Sequence, residues 1–213
     1  MSELTIAQYN VVVRVCKKLF VDKTADYGPS WLLFRLPSIT DQILIKAKRI
    51  RQLEQIADAA KIPEGRDAEY RGIINYCVMA LIRLWHRDAV PSSDSILNDE
   101  HLQLPNDPAR LSELYDQVIA DTQNLMQRKN HDYGEAWREM RLFAITDQIL
   151  VKLARLRTIE SHQGCLLVSE SPDANYADIL NWCIFALIKI SEEADLARNG
   201  TPPTGGCPPS RAM

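Results

Sequence analysis

Two short strings of residues in this chain carry side chains able to hold an anion, and each string occurs twice. The first is K-x-x-D-Y-G-x-x-W: Lys23, Asp26, Tyr27, Gly28 and Trp31, then Lys129, Asp132, Tyr133, Gly134 and Trp137. The second is T-D-Q-I-L-x-K-x-x-R: Thr40, Asp41, Gln42, Lys46 and Arg49, then Thr146, Asp147, Gln148, Lys152 and Arg155. At about 100° per helical residue, spacings of four and three set Gln42, Lys46 and Arg49 on one stripe. That stripe lies opposite Ile43, Leu44, Ala47 and Ile50. Arginine supplies a planar fork and lysine a point charge, donors that suit a phosphate or carboxylate. Arg35 and Arg141, at matched positions upstream, add a third donor. Tyr27, Trp31, Tyr133 and Trp137 supply rings on which a base can stack. Together with Lys23 and Lys129, these residues predict a small anionic ligand, a nucleotide, held between the copies. The same charges have an alternative use: salt bridges between copies or between subunits of an oligomer, in a binding or assembly module without catalysis.

Carboxylates decide whether catalysis is open to such a site. Asp26, Asp41, Asp132, Asp147 and Asp178 are the candidates to hold a divalent metal or position a water for phosphoanhydride hydrolysis. Other acidic and polar residues have structural explanations. Thr40 reads as a helix N-cap with Asp41 in the first turn, where the helix dipole favours it. Glu64-x-x-Asp67 and Glu170-x-x-Asp173 read as loops, the second interrupted by Pro172, with each aspartate capping the helix that follows. Gly28 and Gly134 suit a left-handed helix C-cap. Asn75 and Asn181 sit on apolar helices and must be hydrogen-bonded if buried. Asp178 stands where the first copy has Gly72, so the copies differ chemically.

The elements that position these residues follow from the repeat. Laying residues 9–84 over 115–190, a shift of 106 with no gap, matches 30 of 76 positions. Chance agreement would be about 6%, so the chain is a duplication. In each copy the pattern predicts three helices. The first spans Leu4 to Thr24 and Leu111 to Asn130. The second follows Thr40 and Thr146, and the third is the apolar run from Gly72 and from Asp178. No two-residue hairpin turn between alternating residues occurs. The fold class is all-α: a tandem duplication of a three-helix unit packed as a pseudo-two-fold bundle. The first repeat spans 1–87 and the second 110–198. A Pro-, Ser- and Asp-rich linker at 88–109 joins them, and 199–213 is a disordered tail.

Composition narrows the function classes. A net charge of −3 from 25 basic and 28 acidic residues excludes nucleic-acid binding by bulk charge. No glycine-rich phosphate loop occurs among the 8 glycines. Five cysteines without a C-x-x-C pair fit reduced thiols better than a disulfide framework or zinc ribbon. The longest apolar stretch, Ile179 to Ile188, is broken by Asn181 and is shorter than the ~18–20 residues of a membrane span. With no signal pattern at the N-terminus, a cytoplasmic protein is expected.

The paired motifs, followed by the N-[YW]-C segment at Asn75 and Asn181, resemble the DUF1599 family, nucleotide modification associated domain 1. The resemblance covers both copies. It implies an α-helical domain with a role near modified-nucleotide metabolism and no assigned activity. A fainter similarity leads to all-α nucleotide pyrophosphohydrolases of the MazG and dimeric dUTPase type, which hold Mg²⁺ on helix-borne E-x-x-E and E-x-x-D pairs. Only Asp178-Ile-Leu-Asn181 resembles their last motif, and Mg²⁺ is the cofactor that similarity implies.

Overall fold

The computed structural model describes residues 2–56, 65–105, 107–162 and 171–198. Among these residues the chain is helical throughout, with no strand. The first copy contributes α1 (Glu3–Tyr27), α2 (Leu36–Ile56) and α3 (Arg66–Trp85). After a short α4 (Ser93–Leu97), the second contributes α5 (Pro108–Tyr133), α6 (Leu142–Ser161) and α7 (Pro172–Arg198). A 3-10 turn joins the first two helices of each copy, at Ser30–Leu33 and Ala136–Glu139.

Local chemistry sets the helix starts. The Ser2 hydroxyl caps α1 by accepting the Thr5 N–H at 3.2 Å. Asp107 caps α5 through the Arg110 N–H at 2.9 Å, with Pro108 in the first turn, where its missing N–H costs nothing. The second helices begin at Leu36 and Leu142, so Thr40 and Thr146 sit inside them and are not N-caps. Both are buried, and their hydroxyls turn to the other copy. The third helices also start early, at Arg66 and Pro172, which places Asp67 and Asp173 in the first turn rather than at the cap. The apolar pattern hides those starts because the polar first turns precede it. Glu64, Glu170, Cys165, Cys207 and the 199–213 tail lie outside the described residues. In the segment read as a linker, α4 packs against the first 3-10 turn and buries Ile96.

Helices α2, α3, α6 and α7 form the core, α3 against α7 and α2 against α6 across the copies, with α1 and α5 outside. The pseudo-two-fold axis shows in matched polar bonds. The Tyr176 hydroxyl lies 2.7 Å from the Thr40 hydroxyl, which donates to Glu160 at 2.5 Å. Its mirror joins Tyr70, Thr146 and Glu54 at 2.8 and 2.7 Å. Tyr9 donates to Asn181 at 3.1 Å and Tyr115 to Asn75 at 3.0 Å. Each of these bonds crosses from one copy to the other. Groups removed from water need such partners, because an unpaired one costs about 1–3 kcal/mol.

Candidate functional site

A cleft lies at the same place in each copy. The end of the copy's first helix, the 3-10 turn, and faces of its second and third helices enclose it. The first cleft has a volume of about 620 Å³ and is lined by Lys23, Tyr27, Trp31, Lys46, Glu69 and Asn75. The second has about 360 Å³ and is lined by Lys129, Tyr133, Trp137, Lys152, Asp178 and Asn181. Both volumes fall in the range typical of small-molecule sites, roughly 300–1,000 Å³. The expectation places the site between the copies, whereas all of these lining residues belong to a single copy. The partner copy touches the cleft linings through Tyr115, bonded to Asn75 and packed on Phe20, and through Tyr9 bonded to Asn181.

The turn that roofs each cleft is built by backbone constraint. Gly28 closes α1 at φ 65° and ψ −179°, a region essentially reserved for glycine, and not the left-handed cap expected. Gly134 does adopt the left-handed cap, φ 60° and ψ 35°, its N–H reaching the Asn130 carbonyl at 2.9 Å. A cation from the last helix then pins each turn. Arg83 donates to the Leu32 carbonyl, and Lys189 donates to the matched Arg138 carbonyl at 2.7 Å. Burial lowers the pKa of Arg83 from its ordinary value.

The lysines reach the clefts with their charges already engaged in part. In the first copy Lys46 lies 3.0 Å from the buried Glu69, which also accepts Arg49. In the second, Asp178 lies 2.9 Å from Lys152 and 2.5 Å from Lys129. These ion pairs form inside a copy. Position 69 is Asn175 in the second copy and position 72 is Asp178, so the carboxylate has moved one helical turn. The bare Gly72 makes room for the first arrangement: a Cβ there would meet the Lys46 Cε at 2.8 Å. Lys23 has no hydrogen-bond or ion-pair partner among the described residues.

The remaining candidates divide clearly. Tyr27 and Tyr133 stand at the cleft mouths, 73% and 74% exposed, with free faces for a ring. Trp31 and Trp137 are wall instead. Trp137 is 4% exposed, stacked on Phe185 at 4.2 Å, with the Arg138 guanidinium 4.5 Å from its centroid, so no face is left for a base. Both indole N–H groups are buried without an acceptor. Gln148 lines the second cleft, whereas Gln42, Arg49, Arg155, Arg35 and Arg141 lie off the lining. Of the five candidate aspartates only Asp178 lines either of these two clefts. Asp26 and Asp132 are exposed and line neither cleft; Asp132 instead borders an open surface hollow with Arg128 and His131. Asp41 and Asp147 are exposed on the α2–α6 face, 3.9 Å from Arg157 and 4.0 Å from Arg51 across the copies. Such exposed, long pairs contribute about 0–1 kcal/mol. Among the described residues no three of His, Cys, Asp and Glu converge as a metal site. Each cleft offers one carboxylate, already bonded to two cations, and this donor set does not fit Mg²⁺.

Sequence reasoning missed Glu69 because the repeat comparison discards positions that differ. The signal was the paired exchange: an acid lost at 175 and gained three residues later at 178.

The fold and clefts define a class: a duplicated all-α protein with a basic, aromatic-mouthed pocket in each half. The pattern of the family described as nucleotide modification associated domain 1 (DUF1599) matches residues 23–84 and again 129–190, and the chain belongs to that family. The matched spans contain both motif strings and the third helix, the elements that wall each cleft. Neither the curated proteins nor the solved structures include a match. No helix among the described residues is long and apolar enough to cross a membrane.

Proposed function

We propose that the protein binds a nucleotide, and that the first copy's cleft is the primary site. The carrying observation is Lys23, unpaired at a cleft mouth beside the exposed ring of Tyr27, with Lys46 deeper in the same cleft. Phosphate would take Lys23 first and compete with Glu69 for Lys46, while the base lies on Tyr27. The family description, which concerns nucleotide modification, supports the same ligand class. Binding is the activity these residues account for; the carboxylate lining each cleft, Glu69 or Asp178, is already paired with two cations. Calorimetric titration of the full chain with the nucleoside 5′-triphosphates tests the reading. Tyr27→Ala and Lys23→Ala are each expected to weaken the best nucleotide about tenfold, since a stacked base is worth roughly 1–3 kcal/mol. Absence of binding by every nucleotide at millimolar concentration would refute it.

A further inference from the structure

The two clefts share their lysines, tyrosine, tryptophan and floor asparagine, yet the residues between these differ in one direction. In the second cleft Asp178 replaces Gly72 and takes both lysines, at 2.5 and 2.9 Å, with its own side chain only 17% exposed. In the first cleft the carboxylate sits one turn back on Glu69, and Lys23 is left unpaired. The wall changes as well. Tyr76 and Met79 of the first copy become Trp182 and Phe185 in the second. There Trp182 meets Phe185 edge-on at 5.9 Å and Phe185 stacks on Trp137 at 4.2 Å. The cavity falls from about 620 to about 360 Å³.

We infer that the second cleft has diverged to take an uncharged planar heterocycle, a nucleobase or a nucleoside without phosphate. This deepens the reading of the clefts as nucleotide sites and rests on it for the kind of ring. A phosphate entering the second cleft would have to strip both lysines from Asp178. The displaced carboxylate, fixed to α7, would remain beside it as an unpaired like charge. The ammonium groups that attract phosphate to the first cleft are already neutralised here. What the second cleft offers instead is aromatic surface, Tyr133 at its mouth, and a fixed carboxylate–ammonium pair. That pair presents an acceptor and a donor to the polar edge of a ring, the arrangement by which small clefts orient a mostly apolar ligand. Discrimination comes as much from the carboxylate that repels phosphate as from the contacts to the ring.

The test uses the full chain and a panel of the common nucleosides with their 5′-monophosphates, titrated calorimetrically into the wild type, Tyr27→Ala and Tyr133→Ala. Both tyrosines are more than 70% exposed, so neither variant threatens folding. The expected result is a nucleoside site that Tyr133→Ala weakens about tenfold and Tyr27→Ala leaves unchanged. Its affinity for the matching monophosphate is at least about tenfold lower. Asp178→Gly, which restores the first copy's residue, should erase that preference at the second site. Two results overturn the inference: no nucleoside binding sensitive to Tyr133→Ala, or equal affinity of the second site for nucleoside and monophosphate. If nucleosides bind as stated while no nucleotide responds to Tyr27→Ala, the primary phosphate site fails and the second-cleft assignment stands.

Discussion

Moving the carboxylate of the first cleft to its position in the second is the sharpest test of how these charges are balanced. The substitutions are Glu69→Asn and Gly72→Asp, singly and together. Glu69 holds Lys46 and Arg49 with its own side chain 6% exposed, while the cations are 28% and 27% exposed. Breaking a fully buried pair from one side costs about 3–5 kcal/mol. Water can reach these cations, so Glu69→Asn should cost about 2–3 kcal/mol. Gly72→Asp alone sets a second carboxylate about 5–6 Å from the first, a repulsion of about 3 kcal/mol at an effective dielectric of 20. Lys23 and Lys46 offset much of it, and aspartate gains a few tenths of a kcal/mol in helix propensity over glycine, leaving a cost of about 1–2 kcal/mol. The double variant recreates the arrangement in which Asp178 holds Lys152 and Lys129, so it should lose no more than about 1 kcal/mol. At roughly 2–4 °C per kcal/mol for a chain this long, thermal unfolding should show Glu69→Asn falling by about 4–12 °C. The double variant should fall by at most about 4 °C. A double variant whose loss equals the sum of the two singles would refute the exchange.

Three further outcomes follow from the described geometry. Gly28→Ala forces a Cβ into a backbone region that costs about 1–3 kcal/mol, and should lower the melting temperature more than Gly134→Ala, whose left-handed site costs about 1–2 kcal/mol; equal losses would contradict the backbone assignment. Thr40→Val takes the donor from the Glu160 carboxylate and leaves the Tyr176 hydroxyl its 3.4 Å bond to the Leu36 carbonyl, and Thr146→Val takes the matched partner from Tyr70 and Glu54. Each should cost about 1–3 kcal/mol in urea titration, and by symmetry the two losses should agree within about 1 kcal/mol. Burial holds the Glu160 carboxyl above the usual carboxylate range, and the hydrogen bond from Thr40 offsets only part of this. The stability from a raised carboxyl is full below its unfolded value and is lost as pH rises through the folded one. Glu160→Gln should therefore gain on the wild type between pH 4 and pH 7 in paired melting curves, and a pH-independent difference would count against it.

Most of the architecture was legible because two physical signals were strong. The third helices are apolar on nearly every side, which only burial between other helices explains, and the shift of 106 made every assignment twice. Asn75 and Asn181 were also readable: a polar side chain on such a helix must be bonded, and both are, to a tyrosine of the opposite copy. The site was half legible. Lys23, Tyr27, Lys46 and their partners, singled out because both copies carry them, line the two clefts. Trp31 and Trp137 were read as stacking platforms, but shared identity does not separate a ligand-facing ring from a packed one. Arg49 misled for a related reason. Its stripe position was correct, but a charge across the helix pair, Glu69, is invisible to a comparison that keeps only what matches.

The matched and the changed positions serve different physical tasks. Tyr9, Tyr70, Asn75, Thr40 and Glu54 recur in the second copy as Tyr115, Tyr176, Asn181, Thr146 and Glu160, and all of them bond across the axis. Because each partner belongs to the other half and most are buried there, altering one leaves a polar group of the other half without its partner, so these positions resist change. Apart from the floor asparagines, the cleft walls face no such constraint, since the lining residues come from a single copy. Glu69 and Gly72 can become Asn175 and Asp178 together without disturbing the interface, provided the lysines keep one carboxylate. A duplication joined this way holds its halves to one geometry while leaving each pocket's charge and shape free to change. On the proposed reading, two pockets on one shared frame take chemically different ligands, and the Glu69–Gly72 exchange is the step that separates them.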